Sequence, residues 1–183
     1  MGIITLTVLG LGLMSKGLYW QGKAVLAQYL IANAWQQSLQ TQQNVKPWFY
    51  ADTYPVAQLV VPTHAKQQYV LANADLASLA FGPAVFQGGA SLAEQGASLI
   101  AAHNDSHFSF LADLSLGTVI KLQLSDAQWR DFVVTQVQVI DQYDTSFLLQ
   151  KTDKKRLYLA TCYPFNSVVS GTKQRFVVTT EQI

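Results

Sequence analysis

From Ile3 to Met14 the chain carries only apolar residues, glycines and two threonines, and after Ser15 and Lys16 the apolar run resumes at Gly17 to Trp20. Eighteen residues from Ile3 to Trp20 come close to the ~20 needed to span a hydrocarbon core, Lys16 is near enough to an end to snorkel, and Tyr19 and Trp20 suit a headgroup interface. The pattern predicts a membrane anchor over residues 1–22. Two other readings stay open. A cleaved signal peptide would find small residues between Ala24 and Ala34 but lacks a basic stretch ahead of the run. A buried helix needs no membrane at all.

The period changes at Lys23. Ala24, Ala27, Ile31 and Trp35 recur at helical spacing, while Gln36, Gln37, Gln40, Gln42 and Gln43 make the later turns polar, which predicts an amphipathic helix from Lys23 to Gln43. Asn44 to Pro55 holds two prolines and reads as a connector, so residues 23–55 form one unit of helix and connector.

From residue 56 the pattern is that of strands, short β-branched runs separated by Gly, Pro, Asn and Asp. Strands are predicted at Val56 to Val61, Gln68 to Ala72, Ala97 to Ala102, Val119 to Leu124, Phe132 to Ile140, Arg156 to Cys162 and Gln174 to Thr180. Alternation in Lys121-Leu122-Gln123-Leu124 and Gln136-Val137-Gln138-Val139 implies one buried and one wet face. Ala74 to Ala80 and His107 to Leu114 are predicted short helices. Seven or more strands with short connections favour a closed barrel over residues 56–183, which also removes exposed edges.

Composition narrows the function. The chain has 183 residues, half of them apolar and only 13% charged, enough to bury roughly 68–70% of its unfolded surface in one core without a disulfide framework. Its net charge of +1, with a single dense basic run at Lys151, Lys154, Lys155 and Arg156, argues against a nucleic-acid backbone as partner. One cysteine, Cys162, excludes an internal disulfide and any multi-thiolate zinc site.

That cysteine ends a predicted strand, and Pro164 stops the strand from continuing. On its own such a thiol is more often a small buried hydrophobe than a nucleophile. His103 stands at the end of a second strand, before the polar turn Asn104-Asp105-Ser106, where catalytic groups often stand but where, taken alone, a histidine bonded locally within the turn is the more frequent case. Arg175 lies on the otherwise apolar strand Phe176-Val177-Val178, where an inward guanidinium would need an anionic or carbonyl partner and an outward one would be solvated. His103 and His107 have the i, i+4 spacing of a zinc pair but lack the metalloprotease Glu. Gly82, Gly88, Gly89 and Gly96 lack the spacing of a phosphate loop or a dinucleotide site. No metal is expected, and Glu94, Asp105 and Asp113 are too scattered for calcium.

Leu159-Ala160-Thr161-Cys162-Tyr163-Pro164-Phe165 resembles the Thr-Leu-x-Thr-Cys signature of sortases, in the Thr-Cys-Tyr-Pro-Phe form of those from Gram-negative bacteria. Ala101-Ala102-His103-Asn104-Asp105-Ser106-His107-Phe108 is similar to the family's Ala-Gly-His-Arg-Asp-Thr-His-Phe, and Lys173-Gln174-Arg175-Phe176-Val177-Val178 resembles the strand bearing its essential Arg. The likeness continues through Lys23 to Gln28, Ala34-Trp35-Gln36, Lys46 to Pro55 and Leu79 to Pro83, which covers nearly the whole chain. Departures include Ala102 for Gly, Asn104 for Arg and Ala160 for a larger aliphatic; Asn104 removes a charge beside the histidine.

The resemblance implies a mainly β fold, an eight-stranded barrel, anchored in the inner membrane by a single span and facing the periplasm. It implies a cysteine transpeptidase that acts without cofactor on a protein substrate carrying a C-terminal Leu-Pro-x-Thr-Gly-like signal, and that passes the acyl group to an amine. Cys162 would be the nucleophile, His103 the acid and base, and Arg175 the oxyanion ligand, with Thr161, Asn104 and Asp105 in contact with substrate. The positive-inside rule does not by itself favour a periplasmic domain, because Lys16 and Lys23 both follow the apolar run; that orientation calls for basic residues upstream of it. Two rivals remain. One is a membrane-tethered barrel that binds a periplasmic peptide without catalysis. The other is an L,D-transpeptidase, whose histidine and cysteine usually share one compact motif, whereas here 59 positions separate them.

Overall fold

The computed structural model describes residues 2–149, 154–167 and 171–183, with residues 3–16 described by backbone alone. Lys151 of the basic run lies outside them. A single helix, α1 (Gly2–Thr41), replaces the two N-terminal elements that the change of period suggests. No proline interrupts it before Pro47, and Gly17 and Gly22 each cost only about 1 kcal/mol in a helix interior, so the backbone has no reason to break where the composition changes. Among the described residues no helix is long and apolar enough to cross a membrane, and the side chains of the Ile3 to Met14 run are not among them.

Ala27, Ile31, Ala34, Trp35 and Ser38 are buried, at spacings of three, four and one that trace one helical stripe. Ile31 packs with Leu71 and Ala84, beside Trp48, Leu79 and Phe81. Ala24, expected on the same stripe, is exposed, as is every residue of α1 from 17 to 26.

Among the described residues the remaining elements are β1 (Pro55–Val61), β2 (Lys66–Leu71), α2 (Leu76–Leu79), β3 (Ala84–Val85), β4 (Ala97–Ala101), β5 (Val119–Leu124), β6 (Trp129–Asp141), β7 (Arg156–Tyr163) and β8 (Gln174–Gln182), with three 3-10 turns. The strands close into a barrel in the order β1-β2-β3-β4-β7-β8-β6-β5, so that no edge is left open. Pairings are antiparallel except β2 with β3 and β4 with β7. The two-residue β3 is absent from the sequence reading. The helix expected over Ala74 to Ala80 shrinks to α2, whose Ser78 amide donates to the N-cap Asp75 carboxylate at 2.7 Å. The helix expected over His107 to Leu114 is a 3-10 turn at Ser109–Asp113.

Two apolar layers position the site. Ala57, Leu59, Ile100, Ile120, Leu122, Phe132, Leu157, Leu159 and Val178 fill the barrel. Outside it, Ala97, Leu99, Tyr158, Ala160 and Val177 form a second cluster under Phe147. β7 is therefore buried on both faces, with odd positions toward the lumen and even positions toward the outer layer.

Candidate active site

β4 and β7 run parallel with Ala101 opposite Ala160, and β8 runs antiparallel to β7 with Cys162 directly opposite Arg175. Both parallel strands end at one rim of the barrel, where β8 begins. Strand alternation then fixes the facing: Leu99 and Ala101, Ala160, and Val177 point to the outer layer, so His103, Cys162 and Arg175 share that parity. All three line one groove, a cavity of about 340 Å³. Its floor is Leu99, Ala101, Ala160 and Val177, its roof Ile140, Asp141, Gln142, Asp144, Thr145 and Phe147, and its side wall Leu76, Leu79 and Phe86. The thiol of Cys162 is free and partly exposed, and His103 is exposed.

Arg175 is held in place. Its Nη1 donates to the carbonyls of Thr172 at 2.6 Å and Gln174 at 2.8 Å, and its Nη2 donates to Gln142 Oε1 at 3.2 Å. A guanidinium has five N–H donors, so two have no partner among the described residues. The backbone at Gln142 is held to the start of β8, since its main-chain N–H donates to the Lys173 carbonyl at 2.7 Å.

The three residues expected to meet substrate take different places. Thr161 is among the residues that line the groove, and its buried hydroxyl donates to the Ala102 carbonyl at 2.7 Å, so it ties the cysteine strand to the residue before His103. Asn104 Nδ2 donates to the Pro164 carbonyl at 3.1 Å and joins the turn after His103 to the turn after Cys162. Asp105 is exposed, and neither it nor Asn104 is among the residues that line the groove.

His107 lies apart from the groove lining, with Nδ1 3.1 Å from Gln68 Oε1. Burial, reinforced by the nearby His103 and opposed by Asp105, pushes its pKa down from the usual imidazole value. The segment between the histidines is a turn closed by the Phe108 amide on the His103 carbonyl, so the i, i+4 spacing does not stack the rings on one helix face. Among the described residues no three His, Cys, Asp or Glu side chains are grouped to hold a metal.

Gln142 and the rest of the roof are functional candidates that the sequence reading passes over. Asp141 and Asp144 line the groove as well, and bonds from the Ser146 hydroxyl and amide hold the Asp144 carboxyl below the usual carboxylate range. The only local signal for this loop is its pair of aspartate turns, in which the Tyr143 and Ser146 amides donate to Asp141 and Asp144.

The sortase domain model matches residues 59–183. Sortase D of Bacillus subtilis (strain 168) is 29% identical over 85 residues, which cover 46% of this chain and 42% of that protein. The fold is similar to that of sortase A from Corynebacterium diphtheriae, at 21% identity and a TM-score of 0.66 over 73% of this chain and 63% of that one. It is also similar to Clostridium perfringens sortase C, solved with the C-terminal cell wall sorting motif, at 18% identity and a TM-score of 0.63 over 88% and 90% of the two chains. The matched regions thus span less than two thirds of the length of the first two proteins, and identities this low among the solved structures speak for the fold alone.

Proposed function

On the premise that the chain belongs to the sortase family of cysteine transpeptidases, we propose that it cleaves a Leu-Pro-x-Thr-Gly-like sorting signal between Thr and Gly and transfers the acyl group to an amine. The observation that carries the reading is the meeting of His103, Cys162 and Arg175 on the outward face of three neighbouring strands at one groove. The Cys162 thiolate attacks the Thr carbonyl. Negative charge develops on the carbonyl oxygen, which the two free donors of Arg175 and backbone N–H groups stabilise. The C–N bond to Gly breaks as protonated His103 gives its proton to the departing amine, leaving a thioester on Cys162. An incoming amine then attacks the thioester, His103 accepts its proton, and the thiolate returns.

Asn104 and Thr161 serve this chemistry by joining the His103 and Cys162 segments, and Asp105 borders the substrate from outside the groove. The Thr161-Cys162-Tyr163-Pro164-Phe165 form resembles that of the Gram-negative type, and on this reading the apolar N-terminal half of α1 anchors the chain with the barrel in the periplasm. Its substrates are proteins ending in the sorting signal. The test is turnover of a fluorogenic Leu-Pro-x-Thr-Gly peptide by wild type and by Cys162→Ala. Wild-type cleavage that the variant lacks, with a thioester adduct seen by mass spectrometry, supports the reading; equal rates overturn it.

A further inference from the structure

The first acidic residue of the chain is Asp52; residues 1–51 carry Lys16, Lys23 and Lys46 with no carboxylate. On the described part of this segment several large apolar side chains lie open to solvent. Tyr19 and Trp20 are more than 60% exposed, and in the connector Phe49 is 93% and Tyr50 69% exposed. They form one face. The Lys23 ammonium sits 5.2 Å from the Trp20 ring and 5.7 Å from the Tyr19 ring. Lys23 and Leu26 line the same cavity as Trp48 and Tyr50, and Phe49 packs edge-to-face on Tyr50 at 4.8 Å. Trp48 fastens the connector to the barrel by packing edge-to-face on Phe81 at 5.1 Å.

We propose that this face, made of Tyr19, Trp20, Lys23, Phe49 and Tyr50, is a second membrane contact that seats the barrel on an anionic lipid surface. The proposal rests on the anchored-transpeptidase reading. Aromatic rings with polar tips collect at headgroup level, and a segment with cations and no acid is complementary to anionic lipid. The position along α1 fits. At 1.5 Å per residue Lys23 lies about 4.5 Å beyond Trp20, within the roughly 5–7 Å of one headgroup layer, and the same helix continues from Trp20 back into the apolar run.

The contact has a consequence for substrate. α2 is the wall between this face and the active-site groove, since Ala77 and Ser78 line the cavity beside Tyr50 while Leu76 and Leu79 line the groove of Cys162. Seating the face on the bilayer therefore keeps the groove within about one helix diameter, ~10 Å, of the headgroups. A sorting signal still tethered to the same membrane by its own apolar segment would emerge there.

The test uses the full chain with Cys162→Ala, which removes its only thiol, and a new cysteine either at the face (Tyr50→Cys) or about 30 Å farther along α1 (Gln40→Cys), each carrying an environment-sensitive fluorophore. The protein is reconstituted into phosphatidylcholine vesicles with and without phosphatidylglycerol. The expected result is a blue shift and protection from iodide at position 50 only, strongest with phosphatidylglycerol and lost in Lys23→Glu. A position 50 as wet as position 40, in protein that floats with the vesicles, overturns the second contact and leaves the anchor standing. Protein that does not float overturns both. Protection that depends on the protein-to-lipid ratio assigns the face to a second copy of the chain and overturns the lipid contact. Peptide cleavage by wild-type protein, measured in parallel, tests the transpeptidase reading separately.

Discussion

Arg175 offers the sharpest test of the mechanism, because its donors can be counted. Three of its five N–H groups are occupied by the Thr172 and Gln174 carbonyls and by Gln142 Oε1, which among the described residues leaves two, the ones that the proposed mechanism gives to the oxyanion. Lysine has three N–H donors, and the same three acceptors can take all of them. Arg175→Lys therefore keeps the charge and loses the directed donors, and Arg175→Ala loses both. Removing one oxyanion donor costs about 10²–10³-fold, or about 2.7–4 kcal/mol of transition-state stabilisation, so Arg175→Lys should fall in that range and Arg175→Ala below it. The assay is kcat/KM on one fluorogenic sorting peptide, converted to free energy by the logarithm of the ratio, with thermal melts to show that both variants fold. If Arg175 merely rested solvated at the groove, it would contribute a screened interaction of at most ~1 kcal/mol, about fivefold. Arg175→Ala within tenfold of wild type would refute the assignment and leave only Cys162 and His103.

Cys162→Ala should abolish turnover with an unchanged melting midpoint, because the side chain is small and partly exposed and its loss opens little cavity; residual turnover above background would remove the nucleophile. Gln142→Leu should lower kcat in wild type and have little further effect in an Arg175→Lys background, the non-additivity expected of a residue that acts only by holding the guanidinium; equal losses in both backgrounds would show an independent role. Thr161→Val removes the buried bond to the Ala102 carbonyl and should cost about 1 kcal/mol, a drop of roughly 2–4 °C in Tm for a chain of this length, and an unchanged Tm would count against the tie. Lys155 is buried with its ammonium on the Ser91 carbonyl and Ser98 hydroxyl, and burial, with Arg130 repelling and Glu94 attracting, pushes its pKa down to about 8. The unfolded chain holds that proton to about pH 10.4, so between pH 8 and 10.4 unfolding takes up a proton and stability rises with pH. Chemical denaturation across that window should show wild type gaining stability relative to Lys155→Met; a flat difference would refute the shift.

What is legible in the sequence is whatever has a period. Val119–Leu124 alternates strictly, Ile120, Leu122 and Leu124 inward against Lys121 on the wet face, and both of its ends are readable. Ala84–Val85 is too short to have a period, and it becomes a strand only because β2 and β4 flank it. At Lys23 the composition shifts from apolar to amphipathic without a helix breaker, so a boundary in pattern is none in the backbone. The His107 to Leu114 segment is apolar enough for a helix, yet Phe108, Phe110 and Leu111 all enter the barrel core, and a 3-10 turn suffices to present them.

The site was half legible for the same reason. Cys162, His103 and Arg175 each stand near a strand end, a local property, but their meeting depends on register. The 59 positions between His103 and Cys162 equal the offset of the parallel pair, in which Ala97 faces Arg156 and Ala101 faces Ala160, so the histidine falls level with the cysteine just past the end of β4. Arg175 is then set by the antiparallel register of β8 on the other side of β7. A shift of one residue in either pairing would turn its side chain to the opposite face of the sheet. The buried core supplies the resistance to that shift: Leu157 and Leu159 point into the lumen with Ile100 and Val178, while Tyr158 and Ala160 pack outward with Leu99 and Val177. The polar ties of Thr161 to Ala102 and of Thr180 to Leu157 add to that resistance, since a slip would break both bonds. Thr161, next to Cys162 in the chain, thus helps hold the register that brings Cys162 level with His103.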